Sequence, residues 1–284
     1  MRIALTALLL GLATFASTAL ANPYSGMSIP ELRRTIAEQP KVLEESWYQV
    51  EVLVFARKNP ASNEFWRLDR QPDLNRSALI RLDRDEPELP EHVDDIDRHA
   101  RGLGAWRVLD GSTLPLKDMA ERLDKAGDRI LLHRSWRQPI RERARAFPVL
   151  VEGGNPLPVT ALDMDAPEPS PLTGIDGSGA FSTLPALVEL KEDSDYLQRE
   201  LQGALRLHLS RFLHVEPNLW FNTTSADGQR FWVRIDQSRR MRSEELHYLD
   251  HPLFGLLVRV TPWKHPEQKK LDDMKAALRS REGR

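Results

Sequence analysis

The sequence predicts an α+β protein: a mainly antiparallel β-sheet with one or two packed helices and a long disordered central loop. Three observations carry this. Several short segments alternate apolar and polar residues with a period of two. One segment, Leu114 to Ala126, carries an apolar stripe of helical period. Between Glu152 and Ala180 lie five prolines and five glycines with few large apolar residues, a composition that cannot form a core of its own.

In chain order, the first 21 residues read as an export signal. Arg2 supplies a basic start, Ile3 to Phe15 an apolar run, and Ala19-Leu20-Ala21 a small-x-small cleavage site. The run is too short for a membrane span, no later run reaches that length, and the mature protein is expected to be soluble outside the cytoplasm. No cysteine occurs, so disulfides, thiolate metal sites and cysteine nucleophiles are excluded and the core must carry the fold. The formal net charge of −2 gives no bulk basic field for nucleic acid.

Ser28 and Glu31 have the spacing of a capping box. Leu32, Ile36 and Leu43 then mark one face of a short helix interrupted by Pro40. Trp47 to Phe55 is a strand, ended by Asn59-Pro60. Phe65-Trp66, Leu79-Ile80 and Trp106 to Leu109 read as short strands or loop anchors, and Asp83 to Asp97 as an exposed acidic loop. Leu116, Met119, Ala120 and Leu123 give the helix from Leu114 to Ala126, with Ser112 or Thr113 as its cap and Gly127 as its stop. A strand follows from Ile130 to Trp136, so the helix is expected on the sheet that both strands share. After the loop, Leu205, Leu207 and Leu209 alternate with Arg206, His208 and Ser210. Phe212 to Val215 extends that strand, and Pro217-Asn218 bends or breaks it. Leu219 to Phe221 is a return strand, Asp227-Gly228 a hairpin turn, and Phe231 to Ile235 and Leu253 to Val260 are strands. Residues 22–151 and 181–263 thus form two halves of one domain, 152–180 the loop and 264–284 a charged helix or frayed tail.

The densest stretch is Ser238 to Pro262. Arg239, Arg240 and Arg242 are followed by Glu244, Glu245, His247, Tyr248, Asp250 and His251, and then by an apolar strand. A charge-dense segment pinned to a core strand presents polar groups at fixed geometry. Arg240 and Arg242 are expected on one strand face, with one arginine pairing to Glu244 or Glu245. His247 and His251 are four apart, as in helical zinc sites, but the H-E-x-x-H order is missing and Pro252 follows directly. Ser243, His247 and Asp250 lack a nucleophile elbow. With seven tryptophans in the chain, Trp136 beside Arg137 is a second candidate for holding a sugar ring or carboxylate.

The stretch R-R-M-R-S-x-E-L-H-Y-L-D-H-P-x-F-G resembles the CsiV family of periplasmic peptidoglycan-binding proteins. W-Y-x-V-E-V-L-V-F (Trp47–Phe55), L-H-R-S-W-R-Q-P (Leu132–Pro139) and G-A-L-R-L-H-L-S-R-F-L-H-V (Gly203–Val215) support it in the family order. The resemblance implies peptidoglycan binding in support of wall synthesis, with a class A penicillin-binding protein or its lipoprotein activator as candidate protein partner. It brings no catalytic residue, metal or cofactor. The candidate ligand-binding residues are therefore Arg239, Arg240, Arg242, Glu245, His247, Tyr248, Asp250, His251, Trp136 and Arg137. The alternative is a periplasmic cell-wall hydrolase or amidase, zinc-dependent or not, built on the His247, Asp250 and His251 cluster.

Overall fold

The computed structural model describes residues 23–60, 67, 69–111, 114–157, 198–225 and 227–283. It divides into two compact units. One takes in the chain up to Gln39 and from Pro266 onward; the other is Pro40–His265. The first holds helices α1 (Ile29–Ala37) and α4 (Pro266–Glu282). The Ser28 hydroxyl accepts from the Glu31 N–H and the Glu31 carboxylate accepts from the Ser28 N–H at 2.8 Å, the expected capping box. The expected tail is helical throughout α4, where Leu271, Met274 and Ala277 bury one stripe. Glu282 accepts from Arg33 at 2.6 Å, tying α4 to α1.

The second unit contains two antiparallel sheets, where the sequence suggested one. The first has the strand order β2 (Arg129–Pro139), β1 (Trp47–Ala56), β9 (Phe254–Pro262), β8 (Leu246–Asp250). The second runs β3 (Val149–Pro156), β4 (Arg199–Leu209), β5 (Leu213–Thr224), β6 (Arg230–Ile235), and β7 (Arg239–Met241) also pairs with β5. A single apolar core joins them: Val50, Val52, Val54 and Val258 from the first sheet meet Leu205, Leu207, Val215 and Leu219 from the second. Sheet-on-sheet packing of this kind follows from two faces of alternating apolar side chains.

Helix α3 (Lys117–Ala126) packs as expected on the first sheet, with Leu116, Met119, Ala120 and Leu123 against Leu53, Phe55 and Leu257. Its start differs from the expected Ser/Thr cap. The Leu116 N–H donates instead to the buried Glu51 carboxylate at 2.9 Å, which His133 also contacts at 2.8 Å. At its end Gly127 takes φ +93°, the left-handed conformation that suits glycine.

Four other expectations need correction. The acidic stretch ends in helix α2 (Asp95–Gly102), because the Asp94 side chain accepts from the Asp97 N–H at 2.9 Å and caps it. The loop expected from Glu152 begins later, since β3 continues to Pro156. Gly153 there lies so close to Leu131 that a Cβ would sit 2.2 Å from its carbonyl oxygen. Phe212 does not extend β4; the chain turns at Ser210–Phe212 and returns as β5. Pro217 does not break β5. It lies between the residues that pair with β7 and those that pair with β6, where its missing N–H disturbs neither ladder. The expected signal segment, Phe65-Trp66, Ser112, Thr113 and the remainder of the expected loop lie outside the described residues.

Candidate binding surfaces

The stretch from Arg239 to His251 crosses between the sheets. β7 belongs to the second and β8 to the first, and Glu244 turns the corner at φ +69° while its N–H donates to the Val260 carbonyl at 2.8 Å. Met241 is the buried anchor. The three arginines diverge from it. Arg239 donates to the Tyr248 carbonyl at 2.6 Å. Arg240 lies over the exposed ring of Phe212, 4.5 Å from its centroid. Arg242 pairs with Glu245 at 3.5 Å in the open. β7 ends at Met241, so Arg240 and Arg242 do not share a strand face.

On β8, Tyr248 and Asp250 share a face with each other. The Tyr248 hydroxyl donates to Asp250 at 2.6 Å, and Arg57 reaches both oxygens at 2.5 Å. Burial would raise the Asp250 carboxyl, but the Tyr248 and Arg57 hydrogen bonds hold it below its usual value. Burial and donation to Asp250 together push Tyr248 up to about 12. The Tyr248 ring stacks over Phe55 with centroids 6.3 Å apart, above Gly255, where a Cβ would come within 2.8 Å of both rings. Arg57 therefore makes this corner a strut, and nothing in its own sequence context signalled that role.

The residues of the enzyme alternative each have other partners. His247 accepts the Arg242 N–H at Nε2, 3.1 Å away. His251 accepts the Leu253 N–H at Nδ1, also at 3.1 Å, and burial lowers its pKa to about 4, so it is neutral at neutral pH. Asp250 is engaged by Arg57 and Tyr248, and among the described residues no group of three or more His, Cys, Asp or Glu side chains is placed to hold a metal. Trp136 is 1% exposed and donates to Gln138 at 2.6 Å, so its ring is core rather than platform. Arg137 is half-buried, stacks 4.3 Å from the Trp263 centroid, and burial lowers its pKa.

A broader surface is formed by the outer face of the second sheet. Strand alternation places Arg206 and His208 of β4, His214, Glu216, Asn218 and Trp220 of β5, and Trp232 and Arg234 of β6 on it. Arg234 stacks over Trp220 at 5.1 Å and donates to Asn218 at 2.8 Å. His208 and His214 stack in parallel, 4.9 Å apart. Arg240 pairs with His214 across β7, and both Arg240 and Arg211 lie over Phe212. Glu216 is held between Arg143 at 2.7 Å, Arg206 at 3.4 Å and His208 at 3.3 Å. Burial opposes its charge, but Arg143 and these neighbours keep its pKa below the usual carboxylate range. Burial lowers His208, against the pull of Glu216, so this histidine is neutral at neutral pH. The face thus alternates guanidinium groups with flat rings. Of the sequence candidates it takes up Arg240 alone; the polar positions in G-A-L-R-L-H-L-S-R-F-L-H-V were the available signal for Arg206, His208 and His214, and the alternation of Phe231 to Ile235 for Trp232 and Arg234.

A family model described as a peptidoglycan-binding protein, CsiV, matches residues 31–263 of the chain. No curated protein and no solved structure matches. No described helix is long and apolar enough to cross a membrane.

Proposed function

The chain belongs to the CsiV peptidoglycan-binding family, and from that premise we propose that it binds peptidoglycan in the periplasm without cleaving it. The observation that carries the location is the outer face of the second sheet. Peptidoglycan joins sugar rings to peptides rich in carboxylates. Arginine forks bind carboxylates with two parallel hydrogen bonds, and aromatic rings offer flat apolar faces to sugars. Arg240, Arg211 and Phe212 at one end and Trp232 and Arg234, the latter seated on the buried Trp220 ring, at the other supply both chemistries on one rigid sheet. A protein held on the wall in this way supports wall synthesis by keeping a second face free for the synthesis machinery, with a class A penicillin-binding protein or its lipoprotein activator as the partner class. Sedimentation with purified sacculi tests the reading. The protein should co-sediment, release no soluble wall fragments, and lose at least about tenfold in affinity when Arg234, Arg240 and Phe212 are changed to alanine together, since each charged hydrogen bond lost contributes about 1.5–3 kcal/mol. Release of wall fragments, or unchanged sedimentation of the triple variant, would refute it.

A further inference from the structure

Between β2 and β3 the edges of the two sheets part and leave a cleft of about 920 Å³. On its lining Gly153 lies close to the Leu131 carbonyl, and Ile80, next to the lining residue Arg81, bridges to Val149. Both walls offer backbone groups. The Trp106 and Leu109 N–H groups donate to the Arg137 and Ser135 carbonyls, so these residues of β2 turn their backbone groups away from β1. By the period of two, His133 does the same, inside the cleft. Leu150 donates to Ile80 and Ile80 to Pro148, so these residues of β3 turn away from β4, and Glu152 follows in phase. No backbone hydrogen bond across either edge joins His133 or Glu152 to another described residue. Such edges are where a further strand adds.

The side chains define what would add. Arg134 pairs in register with Val52 and so takes the core side of β2, between Leu132 and Trp136. That position belongs to an apolar residue in a closed sandwich, yet Arg134 is exposed because the cleft opens there. Neither Arg134 nor Arg84, which also lines the cleft, forms an ion pair with any described residue. Asp85 and Glu86 stand on the same rim, exposed. The other cleft charges are already engaged: Asp83 accepts the Asp85 and Glu86 N–H groups, Arg81 pairs with Glu88 and Glu152 with Arg76, and Arg199 donates to the Gly154 carbonyl.

We propose that this cleft binds the short peptide stem of peptidoglycan as an added strand between β2 and β3, with its carboxylates at Arg134 and Arg84 and its free ammonium at Asp85 and Glu86. The free edges are short, which favours a stem peptide over a long protein strand, and the rim carries both signs of charge, as the stem's diamino acid does. The proposal rests on the wall-binding reading but uses residues apart from the sugar- and carboxylate-binding face.

The test uses the synthetic tetrapeptide L-alanyl-γ-D-glutamyl-meso-diaminopimelyl-D-alanine, followed by calorimetry and by amide hydrogen exchange. Binding should slow exchange at His133 and Glu152. Arg134→Ala and Arg84→Ala should each weaken binding at least fivefold, and Arg134→Lys should recover only part, because lysine lacks the planar fork. Arg134 is exposed, so these variants are expected to fold, and their melting temperatures check it. Unchanged affinity in Arg134→Ala, or protection elsewhere, would overturn the proposal. So would equal protection by an all-L acidic pentapeptide, which would assign the cleft to a protein strand. If sacculi bind and the tetrapeptide does not, the cleft assignment fails and wall binding stands; if neither binds, both fail.

Discussion

The first sheet covers its outer face with α3, whereas the second leaves arginines and aromatic rings on its own. Both sheets contribute to the same core, so the contrast concerns only the second surface of each. β1 reads V-E-V-L-V-F, apolar on nearly every residue, and both sides are buried. β5 alternates through its first half and β6 through its length, and their outer positions are half-buried to exposed except Trp220 and Asn222, which are covered. A strand that must bury two faces cannot host a binding residue without cost. A strand that buries one can present a side chain every second residue on a rigid backbone. The contrast therefore predicts that mutations in the first sheet act on stability and mutations on the outer second sheet act on binding.

The largest expected effect is Leu53→Ala, beneath α3. Leu53 is fully buried, and such truncations cost about 2–5 kcal/mol. Urea unfolding should show this loss, while sacculus affinity at low temperature should stay as in the parent. Loss of affinity in protein that is still folded would break the contrast.

Gly255→Val comes next. Its Cβ would enter the space of the Phe55 and Tyr248 rings, and overpacking of this kind costs about 1–3 kcal/mol. A companion Tyr248→Ala should recover part of the loss, and an unfolding series on both variants would measure the coupling.

Arg234→Ala with Arg240→Ala should show the reverse pattern. Stability should move by about 1–2 kcal/mol, since each of the two stacked guanidinium groups contributes about 0.5–1 kcal/mol at an exposed site. Sacculus binding should fall and lose most of its dependence on salt. A cooperative unfolding loss well beyond that range would make these arginines internal struts like Arg57.

His251 provides a test by pH. Its folded pKa of about 4 lies below the ordinary histidine value of 6.5, so between these values the unfolded chain binds the extra proton. Stability should therefore be full above about 6.5 and decline as pH falls toward 4. His251→Asn should flatten that limb in thermal melts recorded across the window. An unchanged slope would place the acid sensitivity on other groups, His208 of the second sheet first.

The smallest effect belongs to Arg242→Ala. Its partner Glu245 and Arg242 itself are both well exposed, and such pairs contribute about 0–1 kcal/mol. Neither unfolding nor sacculus binding should change measurably. A clear drop in binding would extend the candidate face around the β7–β8 corner.

Local order was legible because it depends on neighbours in the chain. The Ser28 capping box, the α3 stripe with Gly127 at its end, and the alternation of β4 and β6 all follow from residues a few positions apart. The family was legible as well, since its motifs are contiguous. Helix α2 was harder to see because its eight residues are mostly charged and Asp94 reads equally as loop or cap. The site was less legible. Arg239, Arg240 and Arg242 read as one cluster, but a three-residue strand anchored by Met241 sends them to three different partners.

By itself, then, the sequence determined which segments alternate, which helix caps, and that no disulfide or thiolate chemistry is available. Tertiary structure decided how those segments divide into two sheets, because pairing joins residues as distant as Val50 and Val260. It decided that Trp136 is core and that Arg134, two residues earlier on the same side of β2, opens into a cleft. The physical reason is that alternation assigns a side chain to a face, while only the packing of the opposite sheet determines whether that face is closed.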